Sequence, residues 1–241
     1  MKFKRLLKYF VFAVLIVAVA LLGEFSSNRN SIKKVTEVVV EFEGEDNNFL
    51  THAMVDKLLI QNTASVKNQA KSVINLYGLE NAVSKNPFVE KASVFLSITG
   101  LLKATVKQKV PVARVLLDKG SYYIDKQGEA FPLSDNFSAR VLLLNGFKTR
   151  ESVSEIQPLL KLILADNFLK KEIIGIEKKG DQAYQFSVRS GNYKIDFGNL
   201  SKMDIKFSKL KAFYNKAFED KTISKYKTIN VKYHNQVVCT K

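Results

Sequence analysis

The sequence predicts an α+β protein in which one membrane-spanning helix precedes two further domains. Three observations predict this class. An apolar run near the N-terminus has the length of a bilayer crossing. A strand, two helices and two strands then follow within roughly 75 residues. Beyond Pro111, short alternating segments predict a mixed β domain with a C-terminal helix and edge strands, and 241 residues suffice for two small cores.

The N-terminal segment predicts a cytoplasmic tail at residues 1–8 and a transmembrane helix at residues 9–25. Tyr9–Gly23 carries no charge, and the apolar span extends back to Leu6 if Lys8 reaches the lipid headgroups. The longer span measures roughly 27 Å, close to the hydrocarbon thickness. Residues 1–8 carry four basic side chains and no acid, so the positive-inside rule keeps the N-terminus cytoplasmic and exports the remainder.

A cleaved signal peptide is the alternative for this segment. Ala18-Val19-Ala20 fits a small-residue cleavage site, and the apolar core is short enough for a secretion signal. Both alternatives export the remainder into an oxidising space. The single cysteine, Cys239, is therefore expected to act as a small apolar residue.

The formal net charge of +15 is concentrated at the two ends of the chain. Residues 1–8 contribute +4 and residues 201–241 contribute +7, whereas the middle is nearly balanced. A basic chain can indicate a nucleic-acid partner. This chain has neither an aromatic-basic RNA signature nor a helix-turn-helix, and its bulk is predicted to be exported, so we expect no nucleic acid.

The first domain is predicted in the order β-α-α-β-β, after a polar linker at residues 26–34. Thr51 is placed to cap the first helix, and Pro87 ends the second because the residue before proline is pushed out of the helical region. The predicted elements are a strand at Thr36–Phe42, a turn at Gly44–Asn48, helices at 51–61 and Val73–Asn86, and strands at Val89–Ser97 and Leu102–Lys109.

The second domain is predicted from short strands and two helices. Ser154 is expected to cap an amphipathic helix at 155–169. Met203–Phe218 has an apolar stripe, with lysines such as Lys206 and Lys209 on other faces. The predicted strands are Val112–Leu117, Ser121–Ile124, Ala130–Leu133, Val141–Leu144, Ile173–Lys178, Ala183–Arg189, Tyr193–Phe197, Thr228–Tyr233 and, after a turn at His234-Asn235, Val237–Cys239.

No constellation of catalytic or metal-binding residues is visible in the sequence. His52 and His234 lack partners at metal-ligand spacing, and Cys239 near His234 lacks an acid to orient such a pair. Glycine-rich phosphate loops and nucleophile-elbow motifs are missing. We therefore expect a protein that is not an enzyme, with no cofactor, no metal and no small-molecule substrate.

The order of segments resembles the bacterial cell-division family FtsQ/DivIB over essentially the whole chain. The residues that carry the resemblance follow one basic tail and one apolar span. They read LENAVSKNPFVEKASV (79–94), VKQKVPVAR (106–114), YYIDKQGEAFPLS (122–134), YKIDFGN (193–199) and YKTINVKY (226–233). Ser97–Leu101 departs from the family, which has a basic-x-aromatic-Pro stretch there.

The resemblance implies a POTRA domain at 35–110 and a β domain at 111–241. Within the POTRA domain it implies a turn formed by Asn86, Pro87, Phe88 and Val89. It also implies a structural hinge between the domains at Pro111 and Ala113. From the residues alone we expect the proline to stop the helix, and Phe88 and Val89 to fill the core.

The function implied by the resemblance is a bitopic scaffold of the divisome that links early and late division proteins and recruits septal peptidoglycan synthesis. It implies periplasmic FtsB-like and FtsL-like partners, other divisome components, and an inner-membrane location at the division septum. In the family a partner adds to the last strand of the β domain. The expected partner-binding residues are Lys225, Lys227, Ile229, Val231, Lys232, Tyr233, Val237 and Val238.

Two other classes of protein stay open at this point. One is a different POTRA-containing envelope assembly or transport factor, although such proteins usually carry repeated modules or a β-barrel. The other is a secreted cell-wall protein with a cleaved signal peptide. The lysines near the last strand also have a simpler interpretation, since lysine on an edge strand deters aggregation.

Overall fold

A computed structural model describes residues 2–44, 49–61, 64–117, 120–148, 153–180, 182–234 and 236–241. Most of the turn predicted at Gly44–Asn48 and one residue of the turn at His234-Asn235 lie outside these ranges. The chain divides into two compact units, Met1–Gln108 and Lys109–Lys241. Each unit contains its own hydrophobic core.

Helix α1 occupies Lys2–Ile32 and precedes the first sheet. Among the described residues, one stretch, Tyr9–Ile32, is long and apolar enough to cross a membrane; a secretion signal near an N-terminus has the same character. The linker predicted at residues 26–34 is wrong for 26–32, which are helical. Extending an existing helix by one residue adds a hydrogen bond without a new nucleation cost, so weak helix formers such as Ser and Asn are carried along.

The first unit has the predicted order of one strand, two helices and two strands, with a small hairpin inserted between the helices. Strand β5 lies at the centre of the three-stranded sheet, parallel to β1 and antiparallel to β4. The elements are β1 Glu37–Glu43, α2 His52–Leu58, β2 Ile60–Gln61, β3 Ala64–Ser65, α3 Leu76–Ser84, β4 Val89–Leu96 and β5 Leu101–Gln108.

Local sequence signals set the bounds of these helices. Thr51 caps α2 by accepting a hydrogen bond from the Met54 amide, as predicted. Helix α3 is shorter than predicted, because the side chain of Asn75 caps it and a 3-10 turn at Lys71–Val73 precedes it. The central strand alternates as predicted, and Leu102, Ala104 and Val106 are buried in the core.

The segment after α1 is hydrogen-bonded to the first unit at two places. The Val35 amide donates to the Gln69 carbonyl at 2.8 Å, and the Lys71 amide donates to the Lys33 carbonyl at 2.9 Å. The Thr36 amide donates to the Gly100 carbonyl at 2.9 Å. The helix therefore continues into the unit through fixed backbone contacts rather than through a free linker.

The second unit is built on a nine-stranded sheet in the order β14-β13-β12-β11-β10-β9-β6-β7-β8. Parallel pairs join β6 to β9, β9 to β10 and β12 to β13, and the other pairs are antiparallel. The strands are β6 Pro111–Leu116, β7 Ser121–Asp125, β8 Ala130–Pro132, β9 Leu142–Asn145, β10 Ile173–Lys179, β11 Ala183–Val188, β12 Lys194–Gly198, β13 Thr228–Asn230 and β14 Val238–Thr240.

Three helices of the second unit bury apolar residues in the sheet core: α4 Gln157–Ala165, α5 Asn167–Glu172 and α6 Met203–Glu219. The predicted helix at 155–169 is interrupted at Asp166, whose carboxylate accepts hydrogen bonds from the Phe168 and Leu169 amides and caps α5. Ser154 does not cap α4, which begins at Gln157 with Pro158 in its first turn.

Pro111 and Ala113, the residues of the expected hinge, lie within β6 of the second unit. Pro111 is the first residue of that strand, and Ala113 is completely buried in the core of the second unit. Lys109 and Val110 form the connection that precedes them. Lys109 donates to Glu129 at 2.8 Å, and this bond holds the pKa of Glu129 below its ordinary value.

The last predicted strand ends earlier in the structure than in the alternating pattern. Strand β13 stops at Asn230, so Tyr233 lies beyond it, and β14 begins at Val238. Strand β13 is paired on both sides, parallel to β12 and antiparallel to β14. The outer strand at this side of the sheet is therefore β14.

Gly100→Ala is predicted to destabilise the first unit more than Gly44→Ala. Both glycines have positive φ, +99° and +96°, but an added Cβ at Gly100 meets the Lys34 carbonyl oxygen at 2.6 Å, whereas Gly44 faces open space. Both variants place an L side chain at positive φ and share that strain, and Gly100→Ala should lose about 1–3 kcal/mol more from the steric clash. Urea unfolding of the full chain in detergent measures the difference, and equal losses would contradict the close contact.

Candidate partner-binding edge

The C-terminal edge comprises β13, β14 and the residues that connect them, with Asn235 excepted. Strand β14 pairs with β13 in the register Thr228 to Thr240 and Asn230 to Val238. Its other side has no neighbouring strand among the described residues. An outer strand presents unpaired backbone donors and acceptors that a guest strand can use.

Besides Lys232, four predicted partner-binding residues have exposed side chains at or beside this edge. Val238 is 38% exposed and Tyr233 is 46% exposed. Lys225 and Lys227 are exposed and form no ion pair within the described ranges. These residues combine an apolar contact surface with uncompensated positive charge.

Ile229 and Val231 are core residues, so the prediction that their side chains contact a partner is wrong. Each is 0% exposed and belongs to the hydrophobic core of the second unit. Their alternation identifies the inward face of the strand and places both side chains in the core of the second unit. Val237 is half-buried and packs against the same core.

Lys232 is exposed, but its charge is already paired. Its Nζ lies 3.2 Å from Asp196 Oδ2 on β12, and this hydrogen bond raises the pKa of Lys232. Asn230 donates to the same carboxylate oxygen at 3.1 Å. Asp196 therefore joins β12 to the last residue of β13 and to Lys232 just beyond it. Because its charge is paired, Lys232 attracts an acidic partner less than Lys225 or Lys227 does.

The opposite edge of the sheet is less suited to a guest strand. Strand β8 has three residues and ends in Pro132, which has no backbone N–H to donate. Strand β14 also has three residues, so short length affects both edges alike and the proline is what distinguishes β8. Strand β14 contains no proline.

Lys209 holds the backbone that follows β13. Its Nζ donates to the Val231 carbonyl at 3.0 Å and also to the Tyr233 carbonyl. The periodicity of α6 placed Lys209 on a polar face but gave no sign of this contact, since the acceptors lie 22 and 24 residues later in the chain.

Lys206 is a second lysine of α6 whose surroundings the sequence did not predict. It is buried, donates to the carbonyl and side-chain oxygens of Asn199 at 2.7 and 3.0 Å, and lies over the Phe197 ring. Burial lowers its pKa. The sequence placed Lys206 outside the apolar stripe of α6 but gave no sign that its side chain is buried.

A buried group of hydroxyls surrounds the Glu172 carboxylate between α5, the β11–β12 turn and α6. Tyr214 donates to Glu172 Oε1 at 3.1 Å, and Ser190 donates to the same oxygen. Tyr193 donates to the Tyr214 hydroxyl at 2.8 Å. Burial is the largest cause of the raised pKa of both tyrosines. Three buried side chains, Glu172, Tyr193 and Tyr214, are thus satisfied by one another and by the exposed Ser190.

Family models match nearly the whole chain beyond α1. Residues 110–240 match the model described as FtsQ/DivIB, C-terminal related, which covers more than half of the chain. The chain belongs to the FtsQ/DivIB family. Residues 33–107 match the POTRA-like domain. No curated protein matches the chain.

This membership agrees with the fold. The FtsQ/DivIB chain has a candidate membrane helix, a POTRA-like unit and a mixed β unit with a C-terminal helix. FtsQ/DivIB and POTRA-like domains are non-enzymatic scaffold families. Within the described ranges, no group of three or more His, Cys, Asp or Glu side chains is placed to hold a metal ion.

The Asn-Pro turn of the POTRA-like unit packs into its own core. The Asn86 side chain accepts a hydrogen bond from the Phe88 amide at 3.0 Å, and the Val89 amide donates to the Asn86 carbonyl at 3.0 Å. Phe88 stacks on Phe49 with ring centroids 5.6 Å apart. Pro87 is exposed, and Val89 is buried. This geometry supports a structural role for the turn.

The two histidines lie in different units of the chain. His52 packs edge-on against Phe42 in the first unit, and His234 is exposed after β13. Burial raises the pKa of the Cys239 thiol, which disfavours the reactive thiolate. Cys239 instead packs against the core, as expected for a small apolar residue.

Lys209→Met is predicted to loosen the C-terminal edge. The variant keeps the aliphatic length but loses two charge-assisted hydrogen bonds, so we expect a loss of about 1–3 kcal/mol and faster amide exchange in residues 231–234. Hydrogen exchange with mass spectrometry measures both effects. Lys216→Met is the matched control on the same helix. Among the described residues, the exposed Lys216 forms one ion pair, with Asp220, so this variant should change stability by less than about 0.5 kcal/mol. Identical exchange in the two variants would contradict the conclusion that Lys209 holds the backbone after β13.

The two buried tyrosines predict a loss of stability in alkaline solution. Their pKa values are raised from 10.0, so above that pH the unfolded chain loses protons that the folded chain retains. Stability is therefore fully present below pH 10 and falls as pH rises, by up to about 1.4 kcal/mol per pH unit for each tyrosine.

Unfolding of the wild type and Tyr214→Phe, measured from pH 8 to 11, checks this dependence. The variant is expected to be less stable at pH 8, because the Glu172 carboxylate loses a donor, and to show a shallower decline above pH 10. Parallel curves would contradict the assignment to Tyr214.

Proposed function

We propose that this FtsQ/DivIB protein is a single-pass membrane scaffold of the bacterial division machinery. In this proposal it links early and late division proteins and recruits septal peptidoglycan synthesis through FtsB-like and FtsL-like partners. The N-terminus is cytoplasmic and the bulk of the chain is extracytoplasmic, at the septum. Family membership and the single candidate membrane helix support this proposal.

We further propose the functional division of the chain into a tail at 1–8, a membrane helix at 9–25, a POTRA domain at 35–110 and a β domain at 111–241. The two family-model matches, at 33–107 and 110–240, support the boundary between the last two. The compact units also separate close to this point, between Gln108 and Lys109.

The observation that carries the partner-binding proposal is the position of β14 at the edge of the nine-stranded sheet. A strand from the partner pairs with β14 through main-chain hydrogen bonds. Val238 and Tyr233 supply exposed apolar contacts, as alternate side chains do in strand addition. The proline in β8 favours β14 over the opposite edge.

Charge at this edge favours an acidic partner segment. Lys225 and Lys227 are exposed, and residues 201–241 carry an excess of +7. Unpaired surface charges act mainly on the rate of encounter and are screened by salt. Lys225 and Lys227 therefore serve to attract the partner, while the strand pairing and apolar contacts hold it.

Val238→Asp and, separately, Tyr233→Ala are predicted to weaken binding of the FtsB-like and FtsL-like pair. Each variant removes exposed apolar contact at the edge, and Val238→Asp also places an acid where a guest side chain packs. We expect recovery of the pair with the full chain in detergent to fall by about tenfold or more for Val238→Asp.

Leu143→Asp is the matched control. Leu143 is 43% exposed, similar to the 38% of Val238, but it lies on β9, which is paired with a strand on each side. It should retain binding, and the melting temperature of each variant checks its folding. Unchanged recovery with both edge variants would rule out strand addition at β14. A fluorescent fusion of the wild type that shows uniform envelope signal in dividing cells would contradict the division role itself.

A further inference from the structure

The anchor-proximal end of the POTRA-like unit consists of residues 25–36, 64–75 and 97–102. We propose that this surface binds anionic phospholipid headgroups of the membrane that α1 crosses. The unit then rests on the bilayer in a fixed orientation instead of hanging from a free linker. The surface is separate from the C-terminal edge and does not depend on any division partner.

Hydrogen bonds tie these three segments to one another. Lys71 Nζ donates to Asn30 Oδ1 at 3.1 Å and to the carbonyls of Ser97 and Ile98 at 2.7 and 2.8 Å. One ammonium group thus joins the last turn of α1 to the turn between β4 and β5. Together with the backbone bonds of residues 33–36, it gives the end of the helix and the end of the unit a common position.

The length of α1 brings this end close to the bilayer. From Phe25, at the end of the predicted membrane segment, to Ile32 the helix rises roughly 10 Å. The headgroup layer on one side of a bilayer is about 5–8 Å thick. The turn at residues 97–100 is bonded to the last turn of the helix, and therefore lies at or just outside the headgroups.

The charges on this end complement an anionic surface. Arg29, Lys33, Lys34 and Lys67 are exposed, and the three segments contain no aspartate or glutamate. Basic residues within a Debye length of about 8–10 Å of a membrane are attracted to anionic lipids. At the distal end of the same sheet, by contrast, Glu90 neutralises Lys107.

An exposed apolar side chain occupies the same turn. Ile98 is 77% exposed, and Gly100 at φ +99° lets the turn approach the Lys34 carbonyl closely. Ile32 and Val73 of the same surface are also exposed. Basic side chains beside exposed apolar ones are typical of segments that bind the boundary between headgroups and acyl chains. This turn lies in Ser97–Leu101, the segment in which the sequence differs from the basic-x-aromatic-Pro stretch of the FtsQ/DivIB family.

Fluorescence quenching in nanodiscs tests the proposal on the full chain. In a Cys239→Ala background, Thr99→Cys carries the fluorophore at the proximal turn, and Lys91→Cys carries it at the distal end of β4. Residues 91 and 96 already lie about 17 Å apart along this strand. The nanodiscs contain phosphatidylcholine alone or a 3:1 mixture with phosphatidylglycerol, each with a headgroup spin-labelled lipid as quencher.

In the anionic nanodiscs we expect the label at residue 99 to be quenched at least fivefold more than the label at residue 91. In phosphatidylcholine alone we expect the label at residue 99 to be quenched less than in the anionic nanodiscs. Replacing Arg29, Lys33, Lys34 and Lys67 by glutamine should abolish the dependence on anionic lipid, with the melting temperature as a check on folding. Equal quenching at the two positions overturns the contact with the membrane. Quenching that ignores lipid charge, or survives the glutamine replacements, overturns recognition of anionic headgroups.

Discussion

The packing of α6 on the inner face of the nine-stranded sheet is the interaction on which the C-terminal half depends. Phe207 of this helix packs against both Phe186 and Phe197 of neighbouring strands, with ring centroids 6.3 and 5.0 Å away. Tyr214 on the same helix satisfies the buried Glu172 carboxylate. Because Lys209 also holds the backbone beyond β13, the helix that forms the core fixes where the C-terminal edge runs. The core and the candidate binding surface are therefore coupled through one element.

Much of this architecture could be predicted from the sequence, because it rests on local patterns. Alternation along β5, the cap at Thr51 and the proline after Asn86 each act within a few residues and were read correctly. Contacts between distant segments were not predictable. Alternation at Ile229 and Val231 indicated a strand whose side chains face two ways. It could not show that these two side chains point into the core, or that β14 pairs with the free edge of β13.

The surroundings of the lysines could not be predicted from the sequence either. Composition counts ten lysines in residues 201–241, but their surroundings divide them into different roles. Lys206 is buried on a carbonyl, Lys232 is paired with Asp196, and Lys227 remains exposed. The positive charge available to a partner is therefore smaller than the sequence implies, and it is concentrated beside the outer strand.

The central claim is that the partner strand pairs with β14. Site-resolved hydrogen exchange of the full chain, with and without the FtsB-like and FtsL-like pair, tests it most directly because strand addition acts on backbone amides. The account predicts that the pair slows exchange in residues 238–240 and leaves the amides of Ala130 and Phe131 in β8 unchanged. Protection at β8, or none at 238–240 in a complex that demonstrably forms, would contradict it.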